Sequence, residues 1–195
     1  MEALIYILFF IYGLLIGSFL NVCIYRIPLG ISVAKGRSMC PSCHNKLGFW
    51  DLIPLFSYLF LGGHCRYCQA KISPRYAVVE LLTALVFTAC YWHFQALPQG
   101  ILACLLAAVL IVIAFIDLDT REIPDKFHLM ILFLAVINLF IDPSGDLIMK
   151  ISGLFAVSVP MFVIAFFTGG FGGADIKLMA AAGLYLGTFP IIVAF

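Results

Sequence analysis

The sequence predicts an all-α integral membrane protein with about six transmembrane helices and one polar loop between the first and second helices. Of its 195 residues, 64% are hydrophobic and only 11% are charged, too few to cover a soluble globule of this size. Several apolar runs approach the roughly 20 residues that a helix needs to cross the hydrocarbon core. The runs are continuous rather than alternating, which argues against a membrane β-barrel.

Apolar runs bounded by polar or helix-breaking residues predict each helix in turn. They are expected at residues 4–25, 76–94, 100–116, 127–141, 151–167 and 176–195. The first run lacks a basic start and a small-residue cleavage site, so we expect a retained helix rather than a removable signal peptide. Pro160 is expected to kink the fifth helix. The last run ends without a charged flank, and we therefore expect the chain to be truncated at its C-terminus.

The polar segment after the first helix sets the expected orientation. Its basic residues are Arg26, Lys35, Arg37, Lys46, Arg66, Lys71 and Arg75. Because an excess of lysine and arginine marks cytoplasmic loops, we place this segment in the cytoplasm and the N-terminus outside. The expected division is a first transmembrane helix at 1–26, a cytoplasmic four-cysteine domain at 27–75 and a transmembrane core at 76–195.

Two CxxC pairs lie in this loop. Their cysteines are Cys40, Cys43, Cys65 and Cys68. Four thiolates on two knuckles form a closed tetrahedral site, which predicts a structural zinc ion. Two disulfides or idle thiols are the alternative, which a reducing cytosol disfavours. His44 and His64 flank the pairs and are alternative ligands, although loop histidines beside such knuckles are more often solvated.

Two carboxylates lie at the cytoplasmic ends of predicted helices. Asp117 ends the third apolar run, and Asp175 opens the sixth. Acids at the edge of the hydrocarbon are costly to ionise, so a functional site is the default hypothesis. Two carboxylates brought close together share one proton, as in an aspartic protease. One member then activates water against a peptide carbonyl while the other stabilises the developing oxyanion.

Other interpretations of these acids stay open. Asp175 is also placed to cap a helix, and Asp117 or Asp119 to end the third helix among headgroups. The glycine-rich segment 169–173 favours a site, because glycine lets an extended substrate approach closely. Lys177 is expected to anchor its helix at the interface. A proton-coupled transporter would also use intramembrane acids, and a zinc-stapled scaffold would leave the two aspartates far apart.

Small and polar residues within the apolar runs have structural interpretations. Gly13 with Gly17, and Gly183 with Gly187, have the spacing of closely packed membrane helices. Asn21 and Glu80 are interpreted as interhelical or loop contacts before site residues.

Five segments in this order resemble the bacterial type IV prepilin peptidases, which are bifunctional leader peptidases and N-methyltransferases. The segments are GSFLNV at 17–22, the two CxxC pairs, ISPRY at 72–76 leading to Glu80, Asp117 followed by IPD at 123–125, and GGADIKL at 172–178. The family pattern before the second aspartate is Gly-any-Gly-Asp, whereas Ala174 precedes Asp175 here. One added methyl group is tolerable unless this position needs a positive φ.

The resemblance implies that Asp117 and Asp175 are the catalytic aspartates of an intramembrane endopeptidase of the bacterial inner membrane. It implies that the substrates are type IV prepilins or the pseudopilins of type II secretion, cleaved at the cytoplasmic face. It also implies methylation of the new amino group with S-adenosylmethionine. Because the chain has no Rossmann glycine fingerprint, the methyl-donor site is implied by the resemblance alone. The lipid bilayer is the other expected partner, and nucleic acid is not expected.

Overall fold

A computed structural model describes residues 2–95, 97–141 and 146–195 of the chain. Within these ranges the secondary structure is helical. The β pairing there is limited to two isolated antiparallel bridges, Met39 with Lys46 and His64 with Lys71. The all-α prediction is therefore confirmed.

The helices follow the predicted apolar runs. They are α1 Glu2–Arg26, α2 Phe56–Phe60, α3 Arg75–Phe94, α4 Leu97–Thr120, α5 Asp125–Ile141, α6 Leu147–Ala156, α7 Ser158–Thr168, α8 Gly173–Leu186 and α9 Thr188–Ala194. The short α2 and a 3-10 helix at Phe49–Leu52 lie within the polar loop.

Four helical segments of the described chain are long and apolar enough to span a membrane. They are Ala3–Arg26, Arg75–Phe94, Pro98–Thr120 and Leu147–Thr168. The other two predicted spans form shorter helices, because α5 has 17 residues and α8 has 14. The structure thus confirms a membrane protein with several spans, but not the predicted count of about six.

The helix predicted at 151–167 is divided at Val157 into α6 and α7. The division lies just before Pro160, whose ring removes the N–H that would reach the carbonyl of Ala156. The interruption expected at this proline is confirmed.

The single helix predicted at 176–195 is wrong, because the chain turns at Gly187 between α8 and α9. Gly187 has a φ of +86°, in the left-handed region that favours glycine. Pro190 follows in the first turn of α9, where its missing N–H is tolerated. Two helix-breaking residues three positions apart therefore outweigh the continuous apolar run.

Helix α1 packs tightly against α3 through small residues. A Cβ atom added to Gly17 would lie 2.7 Å from the Cα atom of Glu80, closer than any side chain can approach. Gly13 meets the backbone of Ala84 in the same way. Thr83, which lies at the Gly17 contact, is fully buried. The packing role predicted for the two glycines of α1 is confirmed. Gly183 and Gly187 likewise lie against the backbone of Gly153 in α6.

Asn21 and Glu80 make the contacts that were expected of them. The Asn21 side chain donates to the carbonyl of Tyr76 at 3.0 Å, which joins α1 to α3. The Glu80 carboxylate accepts the N–H of Leu55 at 2.7 Å, which joins α3 to the polar loop. These contacts place the polar loop beside the end of the bundle where α1 ends and α3 begins.

Candidate functional site

The two cysteine pairs lie on short turns with the same backbone geometry. The N–H of His44 donates to the carbonyl of Cys40 at 2.9 Å, and the N–H of Gln69 donates to that of Cys65 at 3.0 Å. Both His44 and Gln69 follow the first cysteine of their pair by four residues, and both have a φ of 58°. The two turns therefore form matching knuckles.

The knuckles bring the four thiols together. All four sulfur atoms lie within 4.8 Å of one another, and the Sγ atoms of Cys40 and Cys68 are 3.9 Å apart. Zinc–sulfur bonds of about 2.3 Å give a tetrahedron with sulfur–sulfur edges of about 3.8 Å, close to the distance between Cys40 and Cys68. The cysteines are free rather than joined in disulfides. The four-cysteine group could therefore bind a metal ion.

The backbone around Cys40 favours ionisation of its thiol, whereas the N–H of Ala70 is outweighed by burial and the neighbouring thiols, which raise the pKa of Cys68. The N–H groups of Cys43 and Ser42 point at the Cys40 sulfur and lower the pKa of this thiol to about 6. A lowered pKa favours the thiolate, which is the form that binds metals.

The flanking histidines lie outside the four-sulfur group within the described residues. The Nδ1 atom of His64 lies 2.7 Å from the carbonyl oxygen of Gly62 and donates to it, and His44 is exposed. The structure therefore favours four cysteine ligands over a set in which a histidine replaces one of them.

A cavity of about 520 Å³ lies between the polar loop, α1 and α3. Cys40 and Cys65 are in its wall, so it adjoins the four-cysteine group. Arg26, Tyr76 and Glu80 also line it, and Glu80 is 8% exposed. The cavity thus combines cationic, aromatic and carboxylate groups.

Asp117 lies exposed in the last turns of α4. Its neighbour Asp119 is paired with Arg75 of α3 at 2.7 Å, and Arg75 also donates to the carbonyl of Phe115 at 3.0 Å. The carboxylate of Asp117 has no hydrogen bond or ion pair within residues 2–95, 97–141 and 146–195. Of the two acids, Asp119 therefore has a structural partner and Asp117 is accessible for chemistry.

Asp175 lies partly buried in the first turn of α8. Its Oδ2 atom accepts the N–H of Gly172 at 3.3 Å, a long bond that supplies the weak capping contact expected as an alternative. The Oδ1 atom accepts no hydrogen bond from the part of the chain described. Ala174 is helical and has no positive φ, so alanine is accommodated where the family pattern has glycine.

Sequence reasoning missed His128, which is 7% exposed on α5. Its Nε2–H donates to the carbonyl of Ala174 at 2.9 Å, and its Nδ1 lies 3.6 Å from the Asp125 carboxylate without a hydrogen-bond partner. Lys177 donates to the same carboxylate at 2.8 Å and lowers the pKa of Asp125. These contacts hold the turn before Asp175 against the start of α5. A histidine within an apolar run was the available signal.

Helix α5 brings Asp117 and Asp175 to the same end of the bundle. It begins at Asp125, shortly after α4 ends, and it packs along α8. No hydrogen bond joins the carboxyl groups of Asp117 and Asp175 among the residues that the structure describes. This end of the bundle therefore carries the exposed Asp117 and the partly buried Asp175, and residues 27–33 of the polar loop lie beside the start of α5.

Two family models match the chain. Residues 11–94 match the bacterial peptidase A24 N-terminal domain, and residues 104–195 match the type IV leader peptidase family. The chain is 38% identical to a prepilin leader peptidase/N-methyltransferase of Bacillus subtilis, over 95% of this chain and 75% of that protein. Proteins of the same description from Neisseria gonorrhoeae and Vibrio cholerae are 34% and 35% identical, over 93% and 96% of this chain and 74% and 79% of those proteins. No solved structure matches the chain significantly.

Proposed function

Because the chain belongs to the type IV leader peptidase family, we propose that it removes the leader peptide of type IV prepilins and pseudopilins and then N-methylates the new N-terminus. In this proposal Asp117 and Asp175 are the catalytic pair. The observation that carries the assignment is the difference among the four aspartates at this end of the bundle, Asp117, Asp119, Asp125 and Asp175. Asp119 and Asp125 are held in ion pairs, whereas Asp117 and one oxygen of Asp175 have no partner in the described chain.

The chemistry follows from two carboxylates that share a proton. The ionised member takes a proton from water, which attacks the peptide carbonyl. The protonated member donates to the carbonyl oxygen, and the leaving amine is protonated as the roles exchange. The hydrogen bond from His128 to Ala174 supports this role, because it holds the backbone immediately before Asp175.

The site is proposed to face the cytoplasm. The basic residues of the loop favour this orientation, with the N-terminus outside and the protein in the bacterial inner membrane. A prepilin would place its basic leader beside the loop at 27–75 and its apolar helix in the bilayer. Its scissile bond would then lie at the interface, where water reaches Asp117 and Asp175.

We propose that the metal of the four-cysteine group is zinc. The thiolate donor set and the separation of 3.9 Å between two of its sulfur atoms fit this ion. A closed set of four thiolates leaves no open coordination position, so zinc would stabilise the loop and take no part in either reaction.

The cavity beside the loop is the proposed site for S-adenosylmethionine. This donor carries a sulfonium ion and an amino-acid end, and it supplies an electrophilic methyl group when bound. The buried Glu80 carboxylate, one oxygen of which also accepts the N–H of Leu55, suits the cationic groups of the donor. Tyr76 offers an aromatic wall to the adenine ring.

The transporter alternative has no support among the relatives from Bacillus subtilis, Neisseria gonorrhoeae and Vibrio cholerae, which are prepilin leader peptidases. A noncatalytic zinc-stapled scaffold is likewise disfavoured by two accessible acids at one end of the bundle.

The test is cleavage of a purified prepilin by Asp117→Asn and Asp175→Asn variants. Each substitution keeps the size of the side chain and removes the acid, so we expect cleavage to fall by at least about 100-fold. Asp119→Asn is the matched control, two residues from Asp117, and should cleave at close to the unaltered rate. Metal content and thermal unfolding should be unchanged in all three variants.

A methylation assay separates the methyltransferase activity from the peptidase activity. A prepilin that has already lost its leader should still accept labelled methyl groups from S-adenosylmethionine in the presence of the Asp117→Asn variant. Normal leader removal by either aspartate variant would contradict the catalytic assignment.

A further inference from the structure

The four-cysteine loop contains an apolar segment, residues 47–63, that presents its large side chains outward. The exposed fractions are 79% for Phe49, 71% for Trp50, 63% for Leu59 and 86% for Phe60. The only charged residue in this segment is Asp51, whose side chain is 5% exposed and accepts a hydrogen bond from Arg66 at 2.6 Å. A segment that exposes several large apolar side chains and no charge of its own needs a partner other than water.

One hydrogen bond fixes where this segment lies relative to the spanning helices. The N–H of Leu55, at the start of α2, donates to the buried carboxylate of Glu80 at 2.7 Å. The apolar span of α3 starts at Arg75, so Glu80 lies roughly 7.5 Å further along the helix at 1.5 Å per residue. Leu55 is therefore held at the depth of the first turns of a membrane-spanning helix.

The backbone at Leu55 shows that this contact holds a specific turn. Leu55 has a φ of 59°, which is costly for a leucine and is found where surrounding contacts enforce it. The charge-assisted bond to Glu80 is such a contact. At the same depth α3 exposes Val78 and Leu82, which already require lipid around them.

We propose that residues 47–63 form an interfacial anchor that inserts into the lipid leaflet beside the start of α3. Phe49, Trp50 and Phe60 would lie at the boundary between headgroups and acyl chains, where aromatic side chains are favoured. The first knuckle would remain in water, since His44, Asn45 and Lys46 are exposed and polar. The loop is thus attached to the bilayer by its own surface as well as by α1 and α3. The inference is independent of the assignment of Asp117 and Asp175.

The test uses tryptophan fluorescence in phosphatidylcholine vesicles. The chain has two tryptophans, so Trp92→Phe leaves Trp50 as the only reporter. We expect blue-shifted emission from Trp50, strong quenching by lipids brominated near the top of the acyl chain, and weak quenching by aqueous iodide. A second reporter, Phe60→Trp with Trp50 and Trp92 changed to Phe, should behave in the same way. Asn45→Trp in that background is the control on the knuckle and should be quenched by iodide.

Two outcomes would overturn the anchor. Strong iodide quenching of Trp50 and of the reporter at position 60 would place the segment in water. Protection from both iodide and brominated lipid would mean that protein, such as a second copy of the chain, covers it. Substitution at Glu80 tests the tether directly, because Glu80→Gln keeps an acceptor for Leu55 and Glu80→Ala removes it. Only Glu80→Ala should change the depth of Trp50.

Discussion

The four-cysteine loop and the helical bundle are stabilised by different interactions. In the loop, the buried residues among positions 27–74 are Cys40, Pro54, Gly63 and Cys65, so half of its small interior consists of metal-ligand candidates. In the bundle, large side chains such as Ile116 and Ile131 are almost fully buried, and the backbones of α1 and α3 approach each other closely at Gly13 and Gly17. The loop has too small a core to stabilise itself, whereas the bundle is stabilised by close packing.

This contrast predicts that the four-cysteine loop and the helical bundle unfold independently of each other. Removing the metal should unfold the knuckles and leave the bundle intact. Placing a larger side chain at a close contact between two helices should destabilise the bundle and leave the metal site intact.

The largest expected effect is that of Cys65→Ser. Loss of one thiolate opens the four-cysteine site, and structural zinc contributes on the order of 10 kcal/mol to the domains that it holds. We expect the unaltered protein to hold the proposed zinc at about one ion per chain and the variant to hold none. Amide hydrogens in the loop of the variant should exchange rapidly, while those of α3 and α4 stay protected. Metal analysis and hydrogen exchange measure the two parts.

The control for this experiment is Cys90→Ser, which changes a half-buried cysteine of α3. It should retain its zinc and its slow exchange in the loop. A Cys65→Ser variant with full zinc content would contradict the four-cysteine site. Fast exchange throughout α3 and α4 would contradict the separation of the two regions.

The next effect is that of Gly17→Val in the bundle. The added side chain meets the Cα atom of Glu80 and the side chain of Thr83, so α1 must move away from α3. Overpacking of this kind costs about 1–3 kcal/mol. Thermal unfolding in detergent should show the loss, with zinc content unchanged.

Gly100→Ala is the matched glycine substitution. Gly100 lies in α4, and a Cβ atom there would be 3.9 Å from the Cα atom of Tyr91, an ordinary contact. Because alanine is favoured over glycine inside a helix by roughly 0.5–1 kcal/mol, this variant should be slightly more stable. Equal destabilisation by both variants would show that the close approach of α1 and α3 at Gly17 does not determine the stability of the bundle.

The same contrast explains what the sequence could predict. Long apolar runs and paired CxxC motifs are local patterns, so α1, α3 and α4 and the four-cysteine group were predicted within a few residues. The break at Gly187 was missed because the apolar run was given more weight than glycine and proline together.

Contacts between distant residues had no local pattern. His128 meets Ala174 and Leu55 meets Glu80 only because the fold brings their elements together. Glu80 was expected to make a loop or interhelical contact, but its partner could not be named. The division of the chain at 26 and 75, and the roles of Asp117 and Asp175, stay predictions that the proposed experiments test.

The smallest effects come from one ion pair in each region. In the loop, the Asp51 side chain is 5% exposed and its partner Arg66 is 51% exposed. In the bundle, Asp125 and Lys177 are 75% and 59% exposed. Burial acts to raise the pKa of Asp51, but bonds from Arg66 and Gly48 outweigh it and the net pKa is lowered. Lys177 lowers the pKa of Asp125, so both carboxylates stabilise the fold in their ionised form.

We therefore expect Asp51→Asn, which keeps an acceptor oxygen, to destabilise the loop by at most about 1 kcal/mol, since Arg66 is half exposed. A lowered folded pKa means that the stabilisation is complete above the ordinary aspartate value of about 3.9 and is lost as the pH falls below it. The difference between the unaltered protein and Asp51→Asn should thus be constant from about pH 7 to pH 5 and shrink below about pH 4.

Asp125→Asn should have a smaller effect that vanishes in about 0.5 M salt, because exposed pairs are screened more strongly than a buried carboxylate. Equal salt sensitivity in the two variants would show that burial of Asp51 does not protect its ion pair.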